Sequence, residues 1–469
     1  MTFDRRLFLH ASLLSALAGC ARQGPYRTES ARCYTNSAVL QECRDRSYIV
    51  AKLASAPNLE YSLSVVEFDD QGVLLSENAM WVACNQLKEV SASGRELSIV
   101  IYVHGWHHNA DDDDADFASF NELLAALAAL EATKPTNRYV TGIYAAWPGL
   151  SITVPGVKYA GFWTRKETAE RVAQGSILEL FAQVRQIWKS QRDDNGDPRL
   201  VIIGHSFGGL IVYQALRNYF IEGATTGPTH SITRAQKQVD PILNQKIEGY
   251  GNLVILVNPA FEGVRYEVIN RIVNERDQFH QKQKPVLAIF AARNDYPVRY
   301  FFPIGRWLGT GLQQAASVDG DRAREQINER PTDQLTKLVY GVGYVDEFAT
   351  HRLDLRTPPN PRFVNTAAMK LDPEVLRERE AYEMEQLEVF ERTWIANGTL
   401  KKKWERVYTD GAVLTHTAKY PTNPFWVVKV DSALIDGHNG IWDNPQWMDF
   451  LRQFFDETVD RPEVSAKLT

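Results

Sequence analysis

The sequence predicts an α/β fold organised around a mostly parallel sheet, and three observations carry that expectation. Short apolar, β-branched runs recur at 97–103, 138–147, 200–203, 252–260, 285–292 and 425–430, the right length for buried strands. Between several of them lie stretches with helical spacing, at 117–130, 164–188 and 210–219, the alternation that parallel crossover connections require. The third observation is Gly204-His205-Ser206-Phe207-Gly208, where one strand-like run turns directly into a helical pattern.

That turn is Gly-x-Ser-x-Gly between a strand and a helix. A turn this tight holds the serine in a strained conformation, and residues without Cβ let the strand and helix close around it. The hydroxyl of Ser206 is then expected at a helix N-terminus, whose N–H groups favour negative charge.

Composition narrows the classes of function. The chain has 469 residues, 44% of them hydrophobic, enough for one large decorated domain or two ordinary ones. Net charge is −6 and no long Lys/Arg-rich run occurs, so a nucleic-acid partner has no support. Eleven Trp and 21 Phe argue against extensive disorder. The N-terminus reads as a targeting segment. Asp4-Arg-Arg-Leu-Phe-Leu-His10 resembles a twin-arginine export signal, and the apolar run 11–18 is too short to span a bilayer. Leu17-Ala-Gly-Cys20 resembles the lipobox of bacterial lipoproteins, which implies cleavage before Cys20 and a lipid anchor on its thiol. The localisation expected from these signals is the periplasmic side of a bacterial cell envelope. Of the remaining cysteines, Cys33 and Cys43 lie in a polar segment where a disulfide would help most, and Cys84 is left over.

Taken in order, residues 20–46 read as a tether and N-terminal extension, and 61–68 alternates like a strand before a turn at 69–72 into 73–75. The run 97–103 leads into His104-Gly-Trp-His-His-Asn109. Asp111 to Asp114 precede a helical run, where acidic residues suit the helix dipole; the spacing lacks the alternation and glycine of a calcium loop. Trp147, Phe162 and Trp163 are candidates for a pocket wall or for core. After Arg293-Asn-Asp295 the strand–helix rhythm pauses until Phe425, with a helix expected from Pro373 and an Asp410-Gly411 hairpin. Phe301, Phe302 and Trp307 open this block as either a wall for an acyl chain or internal packing. Asp436-Gly-His-Asn-Gly440 follows the last strand, and Asn444-Pro445 starts a closing helix.

These motifs resemble the α/β-hydrolase family from about residue 47 onward. The resemblance implies an eight-stranded, mostly parallel sheet flanked by helices, with a large cap inserted between strands 7 and 8. It divides the chain into a signal peptide (1–19), a tether (20–46), core (47–295), cap (296–424) and returning core (425–469). It also implies an antiparallel hairpin at 61–75. The family order Ser…Asp…His points to Ser206 as nucleophile and to Asp295, in the turn after the seventh strand, as acid; Glu262 is the rival. Of the histidines after Asp295, His351 and His416 fall in the cap region, whereas His438 lies between the last strand and last helix, where the base belongs. Trp106 and Phe207 are implied as the backbone donors of an oxyanion hole, with His104, His107 and His108 in supporting roles. More narrowly, Val103-His-Gly-Trp-His-His-Asn-Ala110, Asn258-Pro-Ala260 and Gly437-His-Asn-Gly-Ile-Trp442 resemble a group of uncharacterised bacterial lipoprotein hydrolases and esterases. That group carries Glu-Asn-Asp where this chain has Arg293-Asn-Asp295, which changes the charge beside the acid. The implied function is hydrolysis of a carboxylic ester, acyl transfer to water, with no metal or cofactor. The implied partners are a small-molecule or lipid ester and, through the anchor, a membrane. The alternatives are a phospholipase or acyltransferase acting on membrane lipid, and a non-catalytic binding lipoprotein.

Overall fold

The computed structural model describes residues 24–27, 39–53, 56–149, 161–194, 196–225, 246–275, 279, 283–303, 336–360, 362–363, 373–394, 404–418 and 422–459. The targeting segment with Cys20, the Cys33–Cys43 pairing and Trp307 fall outside them. Cys84 is a free, buried thiol.

Strands and helices alternate as the apolar runs predict. β1 (Val39–Asp45), β2 (Tyr48–Leu53) and β3 (Ala56–Glu67) are followed by α1 (Glu77–Ala92), β4 (Leu97–Val103), α2 (Ala115–Glu131) and β5 (Tyr139–Ala146). Then come α3 (Phe162–Val172), α4 (Ile177–Asp193), β6 (Arg199–His205), α5 (Phe207–Thr225), β7 (Leu253–Val257), α6 (Gly263–Glu275) and β8 (Leu287–Ala292). The chain closes with β9 (His351–Leu355), α7 (Pro373–Trp394), β10 (Glu405–Val407), β11 (Ala412–His416), β12 (Phe425–Val430) and α8 (Pro445–Val459). Among the described residues, all strands join one sheet of twelve, in the order β1-β2-β3-β5-β4-β6-β7-β8-β12-β9-β11-β10. The run from β3 to β9 is parallel throughout, and both edges are antiparallel. The fold is therefore mixed α/β on a large, mostly parallel sheet.

The sheet has twelve strands where eight are expected. Residues 73–75 contribute only the isolated Phe68–Leu74 bridge, so the antiparallel partner of β3 is β2, which pairs in turn with β1; both precede it. At the other edge the block between Asp295 and Phe425, read as a cap, supplies β9, β10 and β11 to the same sheet. β10 and β11 form the hairpin that Asp410-Gly411 predicts, with Gly411 at φ +91°. The single helix expected over 164–188 is two. Gly175 interrupts it, because the backbone of Gly72 lies so close that a Cβ at 175 would sit 2.2 Å from the Gly72 oxygen. Ser176 N–H then donates to that oxygen at 2.8 Å, and α4 starts afresh.

Core packs on both faces of the sheet, as a buried parallel sheet requires. Apolar residues of α1, α3, α4, α5 and α6 cover one face; those of α2 and α8, with Leu376 of α7, cover the other. At the amino ends of β5 and β6 sits a buried ion cluster. Glu131, at the end of α2, accepts from Arg199, and from Arg138 Nη1 at 3.4 Å; all three residues are buried. Removing one member of such a cluster strands the others in low dielectric. Glu131→Ala, which leaves Arg199 facing the more distant Asp456 at 3.5 Å, is expected to destabilise by about 3–5 kcal/mol. Urea unfolding measures this.

Candidate active site

Because β4, β6, β7, β8 and β12 are parallel, their carboxyl ends share one edge, and the loops leaving them are forced together. Ser206 occupies the turn between β6 and α5 at φ +54°, a left-handed conformation costly for any residue with a Cβ. Three backbone hydrogen bonds hold it there. Ser206 N–H donates to Val257 O at 3.0 Å, and Ser206 O accepts from Ala260 N–H at 3.0 Å and Leu210 N–H at 3.2 Å. The flanking glycines are sterically required. A Cβ at Gly208 would lie 2.0 Å from Val103 O, and one at Gly204 would lie 2.8 Å from Gly208 O.

Ser206, His438 and Asp295 form one hydrogen-bonded chain. Asp295 Oδ2 lies 2.8 Å from His438 Nδ1, and His438 Nε2 lies 2.6 Å from Ser206 Oγ. With Asp295 ionised, Nδ1–H donates to the carboxylate and Nε2 is left to accept the serine proton. Asp295 is fully buried, and its other oxygen accepts from Val298 N–H at 3.0 Å. Glu262 is engaged elsewhere, with Lys166 Nζ at 3.1 Å and Arg265 Nε at 2.6 Å. His351 and His416 pack against each other and Trp404, on the far strands of the sheet. Arg293 pairs with Asp354 at 2.7 Å.

The loop after β4 abuts the serine. A Cβ on Gly105 would lie 3.0 Å from Ser206 Cβ, so Trp106 follows a residue in direct contact with the turn. Phe207 is the first residue of α5, where an N–H has no acceptor within the helix. His104 braces this loop. Burial pushes its pKa down to about 4, so the ring is neutral; Nδ1–H donates to Gly105 O at 2.9 Å, and Nε2 accepts from Trp147 N–H at 3.1 Å. Trp147 is buried, stacks on His104 and donates its indole N–H to His104 O at 2.9 Å. Phe302 is fully buried against the rings of Phe162 and Trp163, and Phe162 touches both Trp106 and Phe207. The side chain of Phe301 falls outside the described residues.

Of the acidic run, Asp114 caps α2 by accepting from Asp116 N–H and Phe117 N–H. It also meets His108 Nδ1 at 3.2 Å, while His108 Nε2 lies 3.5 Å from Asp116. Asp116 is buried and accepts from Tyr102 OH at 2.6 Å and from Trp442 Nε1 at 3.0 Å. A carboxylate thus ties the loop after β4 to the loop carrying His438. Three further residues contact the His438 loop, and although the quoted motifs contain them the sequence reading gives them no role: His205, Asn258 and Asn294. Asn294 Nδ2 donates to Asp436 at 2.7 Å, and its oxygen accepts from Gly437 N–H at 3.0 Å. The available signal was an asparagine at the end of each of two apolar runs, since a polar side chain at a buried strand end has to find partners. Among the described residues no cluster of three or more His, Cys, Asp or Glu is placed to hold a metal ion. No helix among them is long and apolar enough to cross a membrane.

No protein-family model matches the chain, and no curated protein matches it. The geometry itself defines the available chemistry. A serine hydroxyl facing an imidazole, with a buried carboxylate on the opposite ring nitrogen, is the arrangement for activating an oxygen nucleophile.

The supporting histidine yields a pH prediction. Burial opposes charge on His108, but the hydrogen bond it donates to Asp114 and the charges of Asp116 and Asp114 outweigh it and raise its pKa. A pKa raised by folding adds stability that is complete below the unfolded value, about 6.5, and disappears as pH rises through the folded value. His108→Gln is therefore expected to lose more stability at pH 5.5 than at pH 9. Paired denaturant titrations at the two pH values would show it; equal losses would count against a charged His108.

Proposed function

We propose that the chain is a serine hydrolase of the α/β-hydrolase type that cleaves a carboxylic ester, with Ser206 as nucleophile, His438 as base and Asp295 as orienting acid. The observation that carries this reading is the continuous Ser206–His438–Asp295 chain, at 2.6 and 2.8 Å, on the carboxyl edge of a parallel sheet. The order Ser…Asp…His along the sequence and the left-handed serine between β6 and α5 support the same reading.

Ser206 Oγ attacks the ester carbonyl while its proton passes to His438 Nε2, and the carbonyl π electrons move onto oxygen. Backbone N–H groups of Trp106 and Phe207 receive that oxyanion, each such donor contributing about 3–4 kcal/mol in related chemistry. As the C=O re-forms, the bond to the alcohol breaks and His438 returns the proton to the departing oxygen. Water then repeats the sequence on the acyl-Ser206 ester, with His438 again as base. Throughout, Asp295 keeps the Nδ1 proton in place and stabilises the imidazolium. The substrate is a small-molecule or lipid ester, and the reaction needs no cofactor. Cys20, in its lipobox-like setting, supports a lipid-anchored enzyme exported to a bacterial envelope.

Ester hydrolysis tests the assignment. Ser206→Ala is expected to lower kcat/KM by on the order of 10⁶ with little change in melting temperature; retained activity would remove Ser206 from the mechanism. Asp295→Asn is expected to cost about 10⁴ in kcat, with Glu262→Gln close to wild-type. The reverse result would move the acid to Glu262. For the anchor, Cys20→Ser is expected to leave an unprocessed precursor outside the membrane fraction. Fractionation and migration identical to wild-type would contradict it.

A further inference from the structure

Two side chains converge on a main-chain atom of the proposed base. His205 Nε2 lies 3.0 Å from His438 O, and Asn258 Nδ2 lies 2.9 Å from the same oxygen and 3.1 Å from Gly437 O. A carbonyl only accepts, so both nitrogens donate and the two lone pairs of His438 O are occupied. Each donor is rigidly placed. His205 is the last residue of β6, adjoining Ser206. Asn258, at the end of β7, has φ +47°, and its side-chain oxygen accepts from Ala292 N–H at 2.8 Å, where β8 leaves for Asp295.

The buried ring of His205 shows which contact it serves. Burial lowers its pKa to about 3, so it is neutral with a single N–H, and that proton is on Nε2 facing His438 O. The other nitrogen, Nδ1, is buried with no hydrogen-bond partner, against Gly105, where a Cβ would come within 2.8 Å. An unpaired buried acceptor destabilises the fold. A carbon in its place would remove that penalty, so the Nε2 end is what the imidazole supplies.

We propose that His205 and Asn258 are positioning residues that grip the His438 carbonyl and so set both reacting distances of the hydrolytic chain at once. The inference rests on the hydrolase reading above. One anchor adjoins Ser206 and the other is hydrogen-bonded to the strand end leading to Asp295. Movement of the base relative to either partner must therefore break a bond to its own backbone. Both residues are buried and act through the backbone of His438.

The test compares wild-type with His205→Phe, His205→Gln and Asn258→Asp, measuring kcat and KM for 4-nitrophenyl acetate and butyrate alongside melting temperature. Phenylalanine removes the donor and also the orphan acceptor; glutamine keeps an N–H near the Nε2 position; aspartate keeps the acceptor for Ala292 but removes both donations. Misplacing a catalytic group by about 1 Å costs on the order of 10²-fold. His205→Phe is thus expected to lower kcat by about 10²-fold with KM little changed and melting temperature equal or higher. His205→Gln is expected to stay within a few-fold of wild-type, and Asn258→Asp to fall like His205→Phe. A folded His205→Phe with wild-type kcat overturns the proposal. Should that variant fail to fold, Asn258→Asp decides, and wild-type kcat there overturns it equally. An inactive wild-type protein would remove the hydrolase reading and this inference together, whereas an active wild-type with indifferent variants removes this inference alone.

Discussion

The structure turns on one backbone constraint: the left-handed conformation of Ser206 between β6 and α5. A side chain at that φ is costly, and it persists only where the surroundings over-determine it. Here they do. The turn is bonded to β7 through Val257 O and Ala260 N–H, and closed by glycines whose Cβ atoms would strike backbone. Once the serine is fixed, the parallel order of β4, β6, β7, β8 and β12 delivers the remaining groups to the same edge. What the sheet cannot do is set distances to a few tenths of an ångström. That falls to hydrogen bonds between the loops.

Those bonds come from neutral or acceptor-rich groups in a buried setting. His104 and His205 are both held uncharged by burial, so each has one donor and one acceptor face with a fixed sense. His104 uses both faces to brace the loop before Trp106, and His205 uses one on the His438 loop. Asp116 joins Tyr102, Trp442 and His108, and so links the loop after β4 to the loop of His438 from the other side. The resulting frame surrounds His438, whose side chain remains partly open, at 13% exposure, while its carboxylate partner Asp295 is sealed at 0%. Solvent is excluded from the carboxylate, while the imidazole keeps a limited exposure.

Much of this was readable from residues. Apolar runs between turn signals marked β4 to β8 and β12, because strands buried on both faces have to be apolar throughout. Ser206, Asp295 and His438 stood out through the family resemblance, each in a loop that follows a strand, and the structure brings all three into hydrogen-bond contact. The edges of the sheet were harder. β1, β2 and β9 to β11 are short or mixed in polarity and lack the flanking helices that set the rhythm elsewhere. The break at Gly175 was hidden because its cause, the backbone of Gly72, is about a hundred residues away in the chain. His205 and Asn258 lie in quoted motifs, but their role was hidden for a related reason. Their partner is a main-chain oxygen, which leaves no trace in side-chain pattern.

The central claim is that Ser206 is made nucleophilic by His438 and Asp295. Its most direct measurement is intact-protein mass spectrometry after brief exposure to a fluorophosphonate, followed by peptide mapping. The account predicts one adduct per chain, located on Ser206, formed rapidly by wild-type and not by His438→Ala over the same interval. An adduct on another residue, or equal labelling of the two proteins, would contradict it.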